Sequence, residues 1–207
     1  MTEVRLATRD DIGALAAMLT RAFAHDPFYA YLAGDAPERG ERMRAGWEGI
    51  LQHASDGLST TYTTEDRSGA AIWHPPRYGG ASFIGSLRLM PSVARLAGGY
   101  RRLRRISRAI AALEERRRHH APRPHYYLSA LGVDPDRQGE GIGTALMAPV
   151  LERADAAGVE AYLETATARN VLLYERAGFG VVEELTLPGT DVHGWLMLRP
   201  TRIATAA

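Results

Sequence analysis

The sequence predicts an α/β (α+β) fold in which strands and amphipathic helices build a single domain over residues 1–207. Two β-like segments, "LSTTYTTE" and "GAAIWHP", are joined by the turn sequence "DRSG", which indicates an antiparallel hairpin. A strand, a glycine-rich loop and a helix then follow one another around residues 125–157. Because neither a repeat nor a low-complexity linker interrupts the 207 residues, we expect one substantial core and no domain boundary.

The first third of the chain alternates between a strand and helices. "EVRLA" is a short strand, and Thr8 with Asp11 resembles a capping box that opens a helix through "DIGALAAMLTRAFA" and ends near His25. "HDPFYAYLAGD" predicts a turn and a short irregular helix rich in aromatic residues. "ERGERMRAGWEGILQHA" predicts a second long helix, because its large apolar residues recur at helical spacing: Met43, Trp47, Ile50 and Leu51.

The remainder of the chain predicts a connection over residues 76–90, then a long helix and six further elements. Gly98 and Gly99 kink or split the long helix. The further elements are the strand "HYYLSALGV", a helix from about 143 to 157, the strand "AYLET", the short helix "NVLLYERAG" and two closing strands, "FGVVEELTL" and "HGWLMLRP". The apolar stripe of the long helix comprises Val93, Leu96, Tyr100, Leu103, Ile106, Ile110 and Leu113.

Composition excludes several classes of chemistry. The net charge of +1 gives no global reason to expect nucleic acid or an anionic membrane as a partner. Without cysteine there is no disulfide, thiolate metal site or cysteine acyl-enzyme. The chain shows neither a signal peptide nor an apolar run long enough to cross a bilayer, so we expect a cytoplasmic protein. The seven histidines lack metal-ligand spacing, so we expect no metal and assign His119, His120 and His125 to loops.

An arginine-rich segment, residues 95–123, offers an alternative function. It contains ten arginines against Glu114 and Glu115, which could form a nucleic-acid surface. No aromatic interleaving or nucleic-acid motif accompanies the arginines, and a charged stripe opposite an apolar one is usually a solvated helix face. We therefore consider nucleic-acid binding the weaker hypothesis.

The glycine-rich loop "GVDPDRQGEGIGTAL" predicts an anion site. It places Gly139, Gly141 and Gly143 between a strand and a helix, where backbone amides and the helix dipole favour negative charge such as a pyrophosphate. The loop lacks the Gly-Lys-Ser or Gly-Lys-Thr of a P-loop, and its glycine spacing differs from the dinucleotide fingerprint. A tight turn without a ligand is the competing interpretation.

The same residues resemble the acetyl-CoA signature of the GNAT superfamily of N-acetyltransferases, Gln/Arg-x-x-Gly-x-Gly/Ala, here Gln138, Gly141 and Gly143. Downstream, "LETATARNVLLYERAGF" resembles the family's second element, in which a strand is followed by an Asn and by a helix that carries a Tyr. The likeness extends to "VRLATRDD" and the long inserted helix, where the chain resembles members that acetylate an aminonucleoside antibiotic. The resemblance implies a mixed, mostly antiparallel sheet flanked by helices, with "HYYLSALGV" and "AYLET" parallel and splayed apart.

The resemblance also implies where acetyl-CoA, the cosubstrate, binds. The pantetheine arm enters the gap between the splayed strands and pairs with strand backbone as an added strand would. Asn170 hydrogen-bonds the arm from the other wall, and the glycine loop holds the pyrophosphate. The strand and loop residues so assigned are Leu131, Gly132, Val133, Gln138, Gly139, Glu140, Gly141, Ile142, Gly143 and Thr144.

Acetyl transfer to an amine needs a neutral amine, a stabilised oxyanion and a proton for the departing thiolate. Tyr174 occupies the family's position for the thiolate acid, and a backbone amide near Leu131 can hold the oxyanion. Glu164 is the best carboxylate for a base, with a structural salt bridge or helix cap as the competing role. Packing against Phe179 is the competing role for Tyr174, and bulk water can also deprotonate the amine.

The aromatic residues of the front part predict the pocket for the amine. Phe23, Tyr31 and Trp73 suit a planar or apolar substrate, and Asp26 can attract its ammonium group. We expect a small-molecule amine, such as an amino-bearing antibiotic of the aminonucleoside kind, whose acetylation would confer antibiotic resistance. An acetyl-CoA-binding regulator without turnover is the remaining alternative, and we expect a monomer or a homodimer.

Overall fold

The structure is a computed structural model and describes residues 2–34, 37–76, 94, 97 and 99–201. A seven-stranded sheet lies at its centre, in the order β1-β2-β3-β4-β5-β7-β6. The strands are β1 (Val4–Leu6), β2 (Thr60–Thr64), β3 (Gly69–His74), β4 (His125–Val133), β5 (Glu160–Thr165), β6 (Gly180–Thr186) and β7 (His193–Arg199). The helices are α1 (Ile12–Ala22), α2 (Pro27–Ala33), α3 (Arg39–His53), α4 (Tyr100–His120), α5 (Ile142–Ala157) and α6 (Ala168–Arg176).

The sheet is mixed and mostly antiparallel, which confirms the predicted fold class. β2 and β3 form the expected hairpin, and β4 with β5 is the parallel pair. The neighbouring pairs β1–β2, β3–β4, β5–β7 and β6–β7 are antiparallel. The predicted connection over residues 76–90 lies, apart from its first residue, outside the described part of the chain.

The two parallel strands separate at a defined point. β4 and β5 pair from His125–Glu160 to Leu128–Leu163, and their pairing ends there. At the same level the register with β3 shifts, because Ile72 opposes Ala130 whereas Trp73 opposes Leu128. Ser129 is therefore an extra residue on β4, a β-bulge, and such bulges bend a strand away from its neighbour. This bend opens the gap in the middle of the sheet.

Helices cover both faces of the sheet. On one face, α5 and α6 pack through Ile142, Leu146 and Tyr174 against residues such as Leu163 and Met197. On the other face, α1 and α3 pack against Ala70, Ile72 and Ala130. The end of α4 also lies on the sheet, where Leu113 contacts the cluster of Tyr162 and Leu196. The gap between β4 and β5 thus lies between two layers of helices, one on each face of the sheet.

The predicted capping box at the start of the chain is present. The Thr8 amide and hydroxyl donate to the Asp11 carboxylate at 2.8 and 3.1 Å, ahead of a short 3-10 turn and α1. The same carboxylate accepts from Arg5 at 2.7 Å and from Arg67 at 2.5 Å. The hydrogen bonds from Arg5, Thr8 and Arg67 hold the pKa of the Asp11 carboxyl well below its usual range, although burial alone would raise it. The network joins β1, α1 and the β2–β3 turn.

The long helix confirms part of its prediction and corrects the rest. Leu103, Ile106, Ile110 and Leu113 face the interior as expected. Tyr100 does not, because it is 73% exposed at the first turn of α4. Val93, Leu96 and Gly98 lie outside the described residues.

Three histidines also lie elsewhere than expected. His119 and His120 end α4, and His125 begins β4, so the assignment of these three residues to loops is wrong. His120 lies 2.6 Å from Glu183 of β6, and His125 Nδ1 lies 2.8 Å from the Arg123 carbonyl oxygen. Over the described part of the chain, none of the helices is long and apolar enough to cross a membrane.

Candidate active site

A cavity extends from the gap between β4 and β5 to the underside of α4. Its wall combines Phe23, which follows α1, with residues of α2, α3, α6 and β7, the middle of α4 and the separating parts of β4 and β5. The lining residues used below are Phe23, Asp26, Tyr29, Ile110, Glu114, Tyr127, Ser129, Leu131, Glu164, Asn170 and Tyr174. The two predicted catalytic residues, Glu164 and Tyr174, therefore open into one space.

The glycine loop leads directly into α5. Gly139 and Gly141 have φ angles of +89° and +81°, and Gly141 is the N-cap of the helix. A Cβ on Gly141 would meet no atom within 4 Å, so its outer side faces open space. The Gly141 carbonyl accepts from Ala145, which leaves the preceding amides of the first turn without intrahelical acceptors. The loop thus has the geometry of an anion site.

Side chains around the loop hold it in place. Gln138 Nε2 donates to the Val133 carbonyl at 3.2 Å, and Arg169 of α6 donates to Gln138 Oε1 at 3.2 Å. Glu140 pairs with Arg137 at 2.8 Å. Arg169 therefore brings a positive charge to the loop from the opposite wall of the gap.

The end of β4 offers one unpaired edge. Leu131, Gly132 and Val133 pair with β3 on one side, whereas the strand pairing with β5 has already ended at Leu128. Gly132 lies so close to α1 that a Cβ there would be 2.6 Å from Leu19 Cδ2. The predicted pantetheine segment is thus an edge of backbone facing the gap, with Asn170 and Tyr174 among the lining residues across it.

Tyr174 is buried on α6 and lines the cavity. Burial raises the pKa of its phenol, and the negative charge of Asp26 adds to that effect. The ring also packs edge-on against Phe179, with 6.1 Å between centroids. The packing role and the predicted acid role are compatible, because the ring makes the contact and the hydroxyl is the acid. At neutral pH the phenol keeps its proton and can donate it.

Asp26 has a structural role that the sequence did not suggest. Its carboxylate caps α2 by accepting from the amides of Phe28 and Tyr29 at 2.9 and 3.1 Å, and it accepts from Thr167 at 3.3 Å. Burial raises its pKa despite these hydrogen bonds. Asp26 lines the cavity as predicted for an ammonium-binding residue, but it also bridges α2 to the loop before α6.

Glu164 directly follows Leu163, the last residue of β5 that pairs with β4, and it pairs with Leu196 of β7 on the other side. Burial raises the pKa of its carboxyl to about 7, and the positive charge of Arg117 opposes this rise. The hydroxyls of Tyr127 and Tyr162 face the same carboxyl and also lower its pKa. A carboxyl that titrates near pH 7 is suited to accept a proton from an amine at neutral pH.

A buried ion pair from α4 closes the far end of the site. Arg117 and Glu114 are 5% and 6% exposed and pair with each other, and the Arg117 guanidinium lies 4.1 Å from the centroid of the Tyr127 ring. The interpretation of the arginine-rich segment as a solvated helix face is therefore wrong for these two residues. Arg116 and Arg123 are likewise paired, with Glu183 and Glu160.

The bulge residue Ser129 places a hydroxyl in the cavity wall. Its Oγ donates to the Ile72 carbonyl at 3.2 Å and lies 3.1 Å from His74 Nε2. Burial lowers the pKa of His74 to about 4, so its ring is neutral at pH 7. The Ser129 hydroxyl donates its proton in the hydrogen bond to the Ile72 carbonyl, and its oxygen accepts a hydrogen bond from His74 Nε2–H. A second lone pair on the oxygen remains for a donor in the cavity.

The four predicted substrate contacts divide into two groups. Phe23 and Asp26 line the cavity, as expected. Trp73 does not, because strand alternation places it with Ala71 on the α5 face, where it is 1% exposed. Tyr31 also lies outside the lining and packs with the cluster of Leu32 and Ile106. We therefore exclude Trp73 and Tyr31 from the amine pocket.

Sequence reasoning missed four residues of the site. Glu114 and Arg117 were read as part of a charged surface, and Tyr127 and Ser129 as ordinary strand residues. An Arg and a Glu three positions apart, with Leu113 and Ile110 on the same side, were the available signal for a buried pair. No comparable signal identifies Ser129, because a bulge depends on the partner strand.

Comparisons with known proteins agree with this geometry. Residues 99–179 match the family described as Acetyltransferase (GNAT) family. The mycothiol acetyltransferase of Propionibacterium freudenreichii subsp. shermanii is 43% identical over 83 residues, which cover 39% of this chain and 24% of that protein. The chain thus spans about a quarter of the length of this curated relative.

Solved structures share the whole fold. A Corynebacterium glutamicum protein described as histone acetyltransferase HPA2 and related acetyltransferase superposes with a TM-score of 0.70 and 22% identity, over 100% of both chains. The yncA protein of Salmonella typhimurium, solved with its cofactor acetyl-CoA, has a TM-score of 0.55 and 14% identity, over 100% of this chain and 98% of that one. With its splayed parallel strands and glycine loop, this chain therefore shares the fold of these acetyltransferases, and its residues 99–179 match the acetyltransferase (GNAT) family.

Proposed function

We propose that the chain is an acetyl-CoA-dependent N-acetyltransferase that transfers acetyl to the primary amine of a small molecule. The observation that carries the proposal is one continuous cavity that joins the free edge of β4, Tyr174 and Glu164. Residues from Phe23 to Leu196 line this cavity, so we also propose that residues 1–207 act as one catalytic unit.

The fit of acetyl-CoA rests on two features of the chain. The unpaired edge of Leu131–Val133 can hydrogen-bond the amides of a pantetheine arm, with Asn170 opposite. Open space outside Gly139 and Gly141 lets a pyrophosphate approach the amides of residues 139–144, beside Arg169. When bound, acetyl-CoA would supply the acetyl thioester that the amine attacks.

Glu164 takes the proton of the amine in this proposal. An alkylammonium loses its proton near pH 10 in water. Transfer to the cavity favours the neutral amine, because burial disfavours the ammonium. Glu164 has a raised pKa for the same reason, so the two groups approach each other in proton affinity. Ser129 and Glu164 directly follow Leu128 and Leu163, the last residues at which β4 and β5 pair, and both line the cavity.

Tyr174 gives a proton to the departing thiolate. Its raised pKa makes the phenol a weaker acid than free tyrosine, but burial raises the pKa of a thiol in the same cavity too. The pKa values of the phenol and of the thiol therefore differ less than the raised pKa of the phenol alone would suggest, which favours proton transfer between them. A backbone amide near Leu131 would stabilise the oxyanion, because a preorganised donor there acts in a site shielded from water.

The finer identity of the amine follows from the resemblance alone. Similarity to puromycin N-acetyltransferase along "VRLATRDD" and "LETATARNVLLYERAGF" favours an amino-bearing antibiotic such as an aminonucleoside. In that case acetylation would give antibiotic resistance. The curated relative is named a mycothiol acetyltransferase, which favours a different acceptor, and a substrate panel distinguishes the two.

Release of free thiol tests the proposal. The purified chain, which contains no cysteine, is mixed with acetyl-CoA and individual primary amines, and a thiol reagent follows coenzyme A without protein background. We expect amine-dependent thiol release that Tyr174→Phe strongly reduces and that Tyr100→Phe, on the exposed first turn of α4, leaves unchanged. Binding of acetyl-CoA without turnover on any amine would instead support a regulator.

A further inference from the structure

We infer that the acceptor is a primary amine attached to an uncharged, apolar body, and that amines carrying a carboxylate are rejected. This inference rests on the proposed function and adds a substrate class to it. It follows from the charges, the polarity and the order of the residues along the cavity wall.

Negative charge dominates the ionisable wall. Among the described residues that line the cavity, the acidic side chains are Asp26, Glu114 and Glu164, and none of the lining residues is Arg, Lys or His. A carboxylate in this space would lie near the carboxyl groups of Asp26 and Glu164 with little water to screen them, and it would find no cationic side chain among the described lining residues. Like charges placed against each other at an interface suppress binding of the wrong partner.

The nearest positive charge is not available to compensate an anionic substrate. Arg117 lies behind the wall, where it pairs with Glu114 and covers the Tyr127 ring at 4.1 Å. Glu114 is in turn shared with Arg118 at 3.5 Å. These pairs neutralise Glu114 internally, so a second ammonium on the substrate would gain little from it either.

The part of the cavity beyond the amine is apolar. We place the amine subsite at Ser129 and Glu164, which directly follow the last residues at which β4 and β5 pair and which both line the cavity. Beyond it, a substrate body would contact aliphatic and aromatic side chains from four elements and the loop after β6: Phe28, Leu32, Ile50, Ile106, Ile110, Leu113, Leu187 and Leu196. Burying a charged or strongly hydrated body there would leave its polar groups unpaired.

Three amines of matched length test this inference. Hexylamine, 6-aminohexanoate and 1,6-diaminohexane share the reacting amine and differ at the far end in a methyl, a carboxylate and an ammonium group. With acetyl-CoA saturating, we expect kcat/KM for 6-aminohexanoate to lie at least about 100-fold below that for hexylamine. For the diamine we expect a drop of about tenfold, because its second charge is desolvated without a free partner.

The outcomes separate this inference from the proposed function. Turnover of 6-aminohexanoate within about threefold of hexylamine overturns the inference while leaving N-acetylation intact. A diamine that outperforms hexylamine also overturns it, since Glu114 would then be a free anionic subsite. If none of the three amines is acetylated, the test becomes a binding measurement. The chain is saturated with coenzyme A, and the shift in its Tm is measured with each amine. Stabilisation by hexylamine alone supports the substrate class, and stabilisation by 6-aminohexanoate contradicts it.

A pair of variants on α4 provides an independent test. Ile110→Lys places a positive charge on the cavity wall, whereas Ala111→Lys places the same charge on the exposed side of the helix. We expect Ile110→Lys to reverse the order of hexylamine and 6-aminohexanoate, and Ala111→Lys to leave it unchanged. An unaltered order in folded Ile110→Lys would contradict the placement of the substrate body. Should that variant not fold, the three amines on the wild type decide.

Discussion

Replacing Glu164 with Gln separates the cost of this carboxyl for stability from its use in catalysis. Burial raises its pKa from 4.5 to about 7 in the folded chain. Between those two values the folded state holds the proton more tightly than the unfolded state does, so the free energy of unfolding falls as pH rises. A difference of about 2.5 pKa units corresponds to about 3 kcal/mol lost between pH 4 and pH 8.

Gln cannot titrate, so the variant lacks this loss. We expect Glu164→Gln to gain about 3 kcal/mol relative to the wild type when the comparison moves from pH 4 to pH 8. For a chain of this size that is a relative shift in Tm of roughly 6 to 12 °C. The same variant should lose about 10²- to 10⁴-fold in kcat, because the amine no longer has a base.

Thermal unfolding at both pH values and initial rates across the pH range measure the two effects. In the wild type, kcat/KM should fall about tenfold per pH unit below about 7, where Glu164 becomes protonated. The variant should lose the change of slope near pH 7, because without a base its rate follows the free amine and keeps rising toward about pH 10. If Glu164→Gln keeps more than about half of the wild-type kcat, with chemistry limiting the rate, Glu164 is not the base and water deprotonates the amine.

Three further substitutions test other parts of the account. Tyr174→Phe keeps the packing against Phe179 and should lower kcat by about 10²- to 10⁴-fold with little change in acetyl-CoA affinity; a variant with more than half of the wild-type kcat would show that another group protonates the thiolate. Gly141→Val should weaken acetyl-CoA binding in calorimetry, whereas Gly189→Val, at a similar φ of +75° in the turn before β7, should only cost about 1 to 2 kcal/mol of stability. Equal affinities for the two glycine variants would contradict the phosphate site. Asp11→Ala should destabilise the chain at pH 7 by about 2 to 3 kcal/mol in denaturant unfolding. The loss should be smaller below pH 4, because the Asp of the unfolded chain is then protonated. A similar loss of stability in the variant of the exposed neighbour, Asp10→Ala, would contradict the Asp11 network.

Local patterns in the sequence were sufficient for most of the fold. The β2–β3 hairpin, the capping box of Thr8 and Asp11, and the strand–loop–helix around Gly141 depend on neighbouring residues, so their signals survive without tertiary information. The parallel, splayed pair of β4 and β5 followed from resemblance, since pairing partners far apart in sequence leave no local pattern.

The sequence predictions are wrong or incomplete for residues whose environment depends on tertiary packing. Trp73 lies beside residues that suggested a pocket, yet the alternation of β3 turns it toward α5. Arg117 belongs to a run of charges that resembles a solvated surface, but the neighbouring strands bury it against Tyr127. Asp26 caps its own helix and also reaches Thr167, 141 residues later in the chain. None of these three contacts can be read from residue type or spacing.

The central claim is that an amine attacks acetyl-CoA directly, with both bound in the cavity between β4 and β5. Initial rates with both substrates varied, followed by the intact mass of the protein after incubation with acetyl-CoA, test it most directly. Direct attack predicts intersecting lines in double-reciprocal plots and a protein of unchanged mass. Parallel lines together with an acetyl group retained on the protein would contradict the account.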